Sequence, residues 1–298
     1  MESIHQIKLA SEMPVTYTGR ITDQHLIDAS QFSRSLAGMS RLYSLIGHYC
    51  LTLEVPAPRA QLPFQCFSRP SKEGSYAAYL TLAHVANEYQ LFADVYKDAL
   101  DWLISKVMGF VKDALTGNGN VKELVEVISQ QAKASAELNT LLANSLSTAH
   151  GDVVKLQEKL IETLPHLVSA AKPAYRSATT PVGKSCNAMV QFGGTSEEIL
   201  ISEAEAMAMR SDADLEVGAA AEFVLERMVA LNVNTGLCRV KIEGESSLVS
   251  GQVVDIELSM PNNPYSKALN EHSAMRVRAK PVFKDGALYR LFISEAIQ

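Results

Sequence analysis

The chain has 298 residues, 47% of them apolar and 20% charged, with a net charge of −6. That length accommodates two domains, and the charge balance excludes a wholly basic nucleic-acid binder while leaving room for a local basic strip. Four cysteines without a CxxC pair argue against a disulfide framework and suit free thiols in a reducing compartment.

The start, MESIHQIKLASEMPV, has no cationic stretch followed by an apolar run, so it reads as mature cytoplasmic sequence. PVTYTGR (14–20) is β-rich. A helix follows, with Asp28 as N-cap and Gln31 at the capping-box spacing. Ala29, Phe32, Leu36, Met39, Tyr43 and Ile46 give it one apolar stripe, and Gly47 is its expected stop. LPFQCFSR (62–69) and SYAAYLTLAH (75–84) read as strands joined by the turn cluster PSKEG. The helix is expected to lie across one face of this small sheet.

Three helices are expected next. The first, 91–115, ends at Gly117; the second, 121–146, places Leu124, Ile128, Leu138, Leu142 and Leu146 on one face; the third, 152–171, carries Pro165, which predicts a kink or an end. Ala132, Ala134 and Ser135 form a small-residue waist suited to close packing. Segment 91–115 is broadly apolar, yet Lys97, Asp98, Asp101, Lys106, Lys112 and Asp113 exclude a membrane span. It points to internal core first, a subunit interface second and a membrane surface a distant third.

The last third is β-rich again. CNAMVQF and EILIS flank GGTSE as a hairpin, and a helix or irregular piece covers 203–222. FVLERMVALNV and LCRVKIE make a further hairpin around Asn234-Thr235-Gly236. GQVVDIELSM (251–260) alternates as a half-buried strand, and NPYSKALNEH is a short helix. MRVRAKPVF and ALYRLFISEA close the chain as a hairpin around Lys284-Asp285-Gly286. The expected class is therefore α+β: a small N-terminal α/β sandwich (1–90), a helical middle (91–172) and a C-terminal antiparallel β-rich domain (173–298).

ATTPVGKS (178–185) fits the loose phosphate-loop pattern, with Gly183, Lys184 and Ser185 as nucleotide-binding candidates. A working loop follows a buried strand and opens a helix. Here a helix tail precedes it and CNAMVQFGG follows, so coincidence is the favoured reading. His48, Cys50, Cys66 and His84 suit zinc chemically, but only His48-x-Cys50 has local spacing, and no metal or cofactor is assigned. Cys186 has Lys184 nearby but no histidine, and Asp255-x-Glu257 is followed by Ser259 where a nuclease half-site needs lysine. No catalytic residue is assigned. Arg276, Arg278 and Lys280 share one face of a strand and are the nucleic-acid-binding candidates, gripping phosphates without reading bases. The competing reading pairs them across the sheet with Asp255 and Glu257, or sets them to guard an edge strand.

Gly19 after the first strand, IDASQFSRSLAGMSRLYSLI (27–46), GSY (74–76) and the helix at 91–115 together resemble an uncharacterised bacterial family found on mobile elements and in anti-phage gene clusters. The resemblance covers about the first 115 residues and brings no catalytic residues with it. The resemblance implies a genomic setting. With the missing catalytic constellations and the long apolar helices, it leads to the expectation of a self-associating, non-catalytic assembly or sensing component of a bacterial accessory system such as phage defence, with a protein partner from the same gene cluster. The alternatives are a nucleic-acid-binding module using Arg276, Arg278 and Lys280, and a nucleotide-dependent enzyme using Gly183, Lys184 and Ser185. A membrane partner is not expected.

Overall fold

The computed structural model describes residues 9–57, 60, 62, 64–69, 77–84, 96–145 and 153–297. The chain forms two units, Met1–Ser202 and Glu203–Gln298. The boundary expected at 172/173 thus lies thirty residues further on, and the helical middle belongs to the first unit. Strand pairing explains the shift, because the strands after the helices join the N-terminal sheet.

That sheet is antiparallel, in the order β2-β3-β1-β4-β5, from β1 (Leu9–Thr18), β2 (Phe64–Arg69), β3 (Ala77–His84), β4 (Ala188–Gln191) and β5 (Ile199–Ser202). The turn PSKEG lies outside the described residues. Met13, Val15, Tyr17, Met189 and Ile201 turn inward to the core. Helix α1 (Ala29–Thr52) starts at Asp28, whose carboxylate accepts the Gln31 N–H at 2.8 Å. Gln31 does not return the bond; its Oε1 accepts from the Ser185 hydroxyl at 2.7 Å instead. Gly47 does not stop the helix either. The buried turns continue to Thr52, and Leu53 ends them in the left-handed region (φ 52) with its N–H on the Tyr49 carbonyl.

Helices α2 (Lys97–Leu115), α3 (Val121–Ala134), α4 (Ala136–Ser145) and α5 (Val153–Ala178) fill the middle. Leu100, Leu103, Ile104, Val107, Met108 and Val111 of α2 are buried in the core, while 91–95 lie outside the described residues. The single helix expected over 121–146 breaks at Ser135, which is extended (φ −115, ψ 115). Its N–H closes α3 on the Gln131 carbonyl, and its hydroxyl accepts the Leu138 N–H, opening α4. Helix α5 runs through both Pro165 and Pro173. Each internal proline costs about 3 kcal/mol, yet both rings sit on the exposed side. The opposite face, with Leu156, Leu160, Leu164, Leu167 and Ala171, is buried and holds the helix together. A buried polar chain ties three elements: the Tyr17 and Ser35 hydroxyls are 2.8 Å apart, and Ser35 donates to the Ala178 carbonyl.

His48 on α1 is half-buried, and its Nδ1 has no partner among the described residues. Burial lowers its pKa, with Glu54 opposing. A histidine held below its unfolded value contributes stability above about pH 6.5, and that contribution is lost as pH falls below it. Thermal midpoints measured between about pH 7.5 and 5.5 are expected to fall less in His48→Gln than in the parent. Parallel curves would remove this assignment.

The second unit contains α6 (Glu203–Arg210), β6 (Leu215–Val217), β7 (Ala221–Leu231), β8 (Leu237–Ile242), β9 (Leu248–Val253), α7 (Pro264–Glu271), β10 (Met275–Lys284) and β11 (Ala287–Ile297). The strand order is β11-β9-β8-β7-β10-β6, and β10 also pairs with β11, so five strands close on themselves. Strand β9 runs parallel to β11, whereas the other pairs are antiparallel. A three-strand meander, a helix, then a hairpin whose last strand returns parallel to the third is the connectivity of the OB-fold barrel. Leu225, Met228, Val240, Val249, Val277, Leu291 and Ile293 fill its interior, joined by Leu258 and Tyr265. The strand expected over 251–260 ends at Val253. Asp255 caps a 3-10 turn, Ile256–Ser259, by accepting the Glu257 N–H at 2.9 Å, which leaves Ile256 exposed and Leu258 buried. Its apolar alternation belongs to a turn.

Candidate nucleic-acid interface

The phosphate-loop motif occupies the link from α5 to β4. Gly183 has φ 81 and its N–H bonds the Cys186 carbonyl at 2.8 Å; Lys184 is exposed. Ser185 is buried on Gln31, and the Lys184 carbonyl accepts from Arg20 at 3.5 Å. No helix opens at Ser185, so backbone N–H groups are not gathered around a phosphate position. Here these residues fasten β4 to the start of α1.

Cys50 and Cys186 are fully buried, and burial pushes the Cys66 thiol up to about 11 and Cys238 up to about 12. The Cys50 thiol is raised further by the same cause. Such thiols pack as small apolar groups. The His84 side chain lies outside the described residues, and among the described residues no three His, Cys, Asp or Glu are placed to hold a metal ion. Asp255 is occupied by its cap and by the Tyr265 hydroxyl, which donates to it at 2.5 Å.

Arg276, Arg278 and Lys280 do line one face of β10, and each meets an acid. Arg276 reaches Glu222 at 2.7 Å, Arg278 reaches Glu222 at 3.9 Å and Glu295 at 3.4 Å, and Lys280 reaches Glu205 at 3.3 Å. The acids come from β7, β11 and α6, not from Asp255 and Glu257 as the sequence suggested. The exposed arginine pairs contribute roughly 0.2–1 kcal/mol each, Lys280 is held by the buried Glu205, and together these contacts neutralise the strip locally.

A second basic cluster has no such acid partners among the described residues. Residues that face the barrel interior alternate with outward ones along β7, β8 and β9. Arg227 on β7 pairs in register with Lys241 on β8, and Arg239 stands two residues from Lys241 beside Ser250 on β9. Ser250 in turn neighbours Arg290 on β11. Arg227 and Arg239 are exposed and form no ion pair or side-chain hydrogen bond among the described residues. Lys241 donates to the Glu245 backbone carbonyl and has no carboxylate partner among the described residues. Arg290 is half-buried, lies 3.6 Å from the Met207 sulfur, and its Nε has no hydrogen-bond partner among the described residues. Val229, Leu237 and Leu248 interleave as exposed apolar groups. At the β10–β11 turn a cleft of about 330 Å³ is lined by Arg210, Lys284 and Tyr289, the last 47% exposed.

A family model described as a domain of unknown function, DUF7946, matches residues 13–210. The chain belongs to the DUF7946 family. A second model, a family of unknown function called DUF7947, matches residues 227–297, inside the barrel unit. No curated protein matches. Among solved structures, a mutant of the ferredoxin protease FusC in complex with Arabidopsis ferredoxin matches at 11% identity and a TM-score of 0.17. That match covers 82% of this chain, and the chain spans 29% of the other's length; at this score it carries no argument about fold. The DUF7946 region therefore holds the five-stranded sheet and its helices, while both basic clusters lie on the barrel beyond residue 210. The sequence reading found the paired cluster and passed over the unpaired one. Its signal was Arg239-x-Lys241 on an alternating strand, but Arg227 joins it only through a bulge in β7.

Proposed function

We propose that the C-terminal barrel binds single-stranded nucleic acid across the outer face of β7, β8 and β9, making the chain a binding component rather than an enzyme. The observation that carries this is the set Arg227, Arg239 and Lys241 on adjacent strands, cations with no carboxylate partner among the described residues. The unit has more acidic than basic residues, so this is a local concentration of positive charge. Barrels of this connectivity take oligonucleotides on the corresponding strands, which is an analogy of fold; the cations supply the chemistry. Exposed Tyr289, in the separate cleft at the β10–β11 turn, is an aromatic surface of the same unit on which an unstacked base can lie. Fluorescence anisotropy with an unstructured oligonucleotide should give an affinity falling steeply with added salt, with a duplex of equal length binding more weakly. Absence of binding at low salt, or binding indifferent to salt, would overturn the reading.

Val229, Leu237 and Leu248 on the same face favour a second reading, contact with another protein or a second copy of the chain. Native mass spectrometry separates the two: an oligomer that excludes the oligonucleotide supports the second. The wider setting, assembly or sensing in a bacterial accessory system such as phage defence, is supported by the sequence resemblance alone.

A further inference from the structure

The first unit carries a separate cleft of about 790 Å³ between α1 and α5. We infer that it binds a small organic anion with an apolar body. Arg41 of α1 and Lys159 of α5 border it, and neither has a carboxylate partner among the described residues. His166, two turns beyond Lys159 on the same helix face, adds a ring N–H donor. Leu45, Val55, Pro56 and Ala170 line the walls with apolar surface. One acid, Glu54, faces two fixed cations, so the cleft favours negative charge.

The floor is already set. Thr163 is buried, its hydroxyl donates to the Lys159 carbonyl at 2.7 Å and lies 2.8 Å from the Tyr49 hydroxyl. The Thr163 and Tyr49 hydroxyls are thus satisfied, and Lys159 and His166 are held at fixed spacing by the helix. The volume falls in the range of about 300–1,000 Å³ that small-molecule sites occupy, and the mixture of apolar wall and few converging polar groups is their usual composition. A phosphate alone would leave the walls unused, and a neutral apolar molecule would leave two cations unanswered. The site lies within residues matched by the DUF7946 model and does not depend on the nucleic-acid reading.

The probes are 1-naphthoate and its neutral counterpart 1-naphthalenemethanol, titrated calorimetrically into the full chain. Naphthoate is expected to bind one per chain, with the alcohol weaker by roughly tenfold or more. Arg41→Glu with Lys159→Glu is expected to weaken naphthoate by at least about tenfold, whereas Arg41→Lys retains it. If the double reversal does not fold, Arg41→Gln with Lys159→Gln serves in its place, since both side chains reach solvent. Arg227→Glu with Arg239→Glu should leave naphthoate binding unchanged, which separates this site from the barrel face. Equal binding of acid and alcohol, indifference to the Arg41 and Lys159 changes, or no saturable binding of naphthoate up to about 5 mM would overturn the inference.

Discussion

Arg227→Glu combined with Arg239→Glu is expected to weaken binding of a single-stranded oligonucleotide by roughly 30- to 100-fold near 0.1 M salt. Each substitution removes one cation facing the backbone and adds one repelling charge. The slope of log affinity against log salt should fall by about two, one for each lost phosphate contact. Arg276→Glu with Arg278→Glu provides the comparison, because those cations already face Glu222 and Glu295. That pair should change affinity by less than about threefold, since both cations are already engaged by carboxylates and are not presented to phosphate. The opposite ranking would move the site to β10 and return to the reading the sequence first suggested. Equal small effects from both pairs would remove nucleic acid as the ligand of the barrel.

Gly38→Ala should be the most damaging single methyl addition in the first unit. A Cβ at Gly38 would stand 2.3 Å from the Ala178 nitrogen, 2.7 Å from the Ala174 oxygen and 2.8 Å from the Ser177 carbonyl carbon. All three are backbone atoms of α5 or its end, so no side chain can turn aside and the two helices must separate. Overpacking of this kind costs about 1–3 kcal/mol, against a helix-propensity gain of about 1 kcal/mol for alanine over glycine. With α1 and α5 forced apart, the upper end applies, and the net loss of about 2 kcal/mol lowers the thermal midpoint by about 4–8 °C. Gly109→Ala in α2 meets only the Ile199 Cδ1, at 4.0 Å. There the propensity term stands alone and the midpoint should hold or rise. Calorimetry on both variants tests whether close helix approach, rather than the loss of glycine as such, sets the sign.

The elements that the sequence displays best are those whose signals are local. Asp28 at the start of α1, Pro264 at the start of α7 and the turn Asn234-Thr235-Gly236 each carry their own capping or turn chemistry and appear where expected. The break at Ser135 was not legible because a serine inside an amphipathic run reads as a tolerated helix residue; only its hydroxyl on Leu138 makes it a cap. Pro165 misled in the other direction, since its cost is local while the buried face of α5 that outweighs it is set by packing. The division of the chain was hidden by the pairing of β4 with β1 across the helical stretch. At the candidate site, Arg276 and Arg278 were visible as charges, but their partners Glu222 and Glu295 come from neighbouring strands whose register the sequence does not print. The parallel β9–β11 pair, which turns a set of hairpins into a barrel, leaves no local trace at all.

The central place of β1 also sets an order of events during synthesis. Val15 and Thr16 can pair with Ala78 and Ala77 once the first third of the chain has emerged, but their other neighbours, Gln191 and Val190, arrive only after α1 to α5. Until then one edge of β1 presents unbonded N–H and C=O groups to any passing strand, and closing so long a loop is slow. A nascent chain stalled before residue 188 is therefore a sheet with an open edge at its middle strand, the state from which this protein should aggregate.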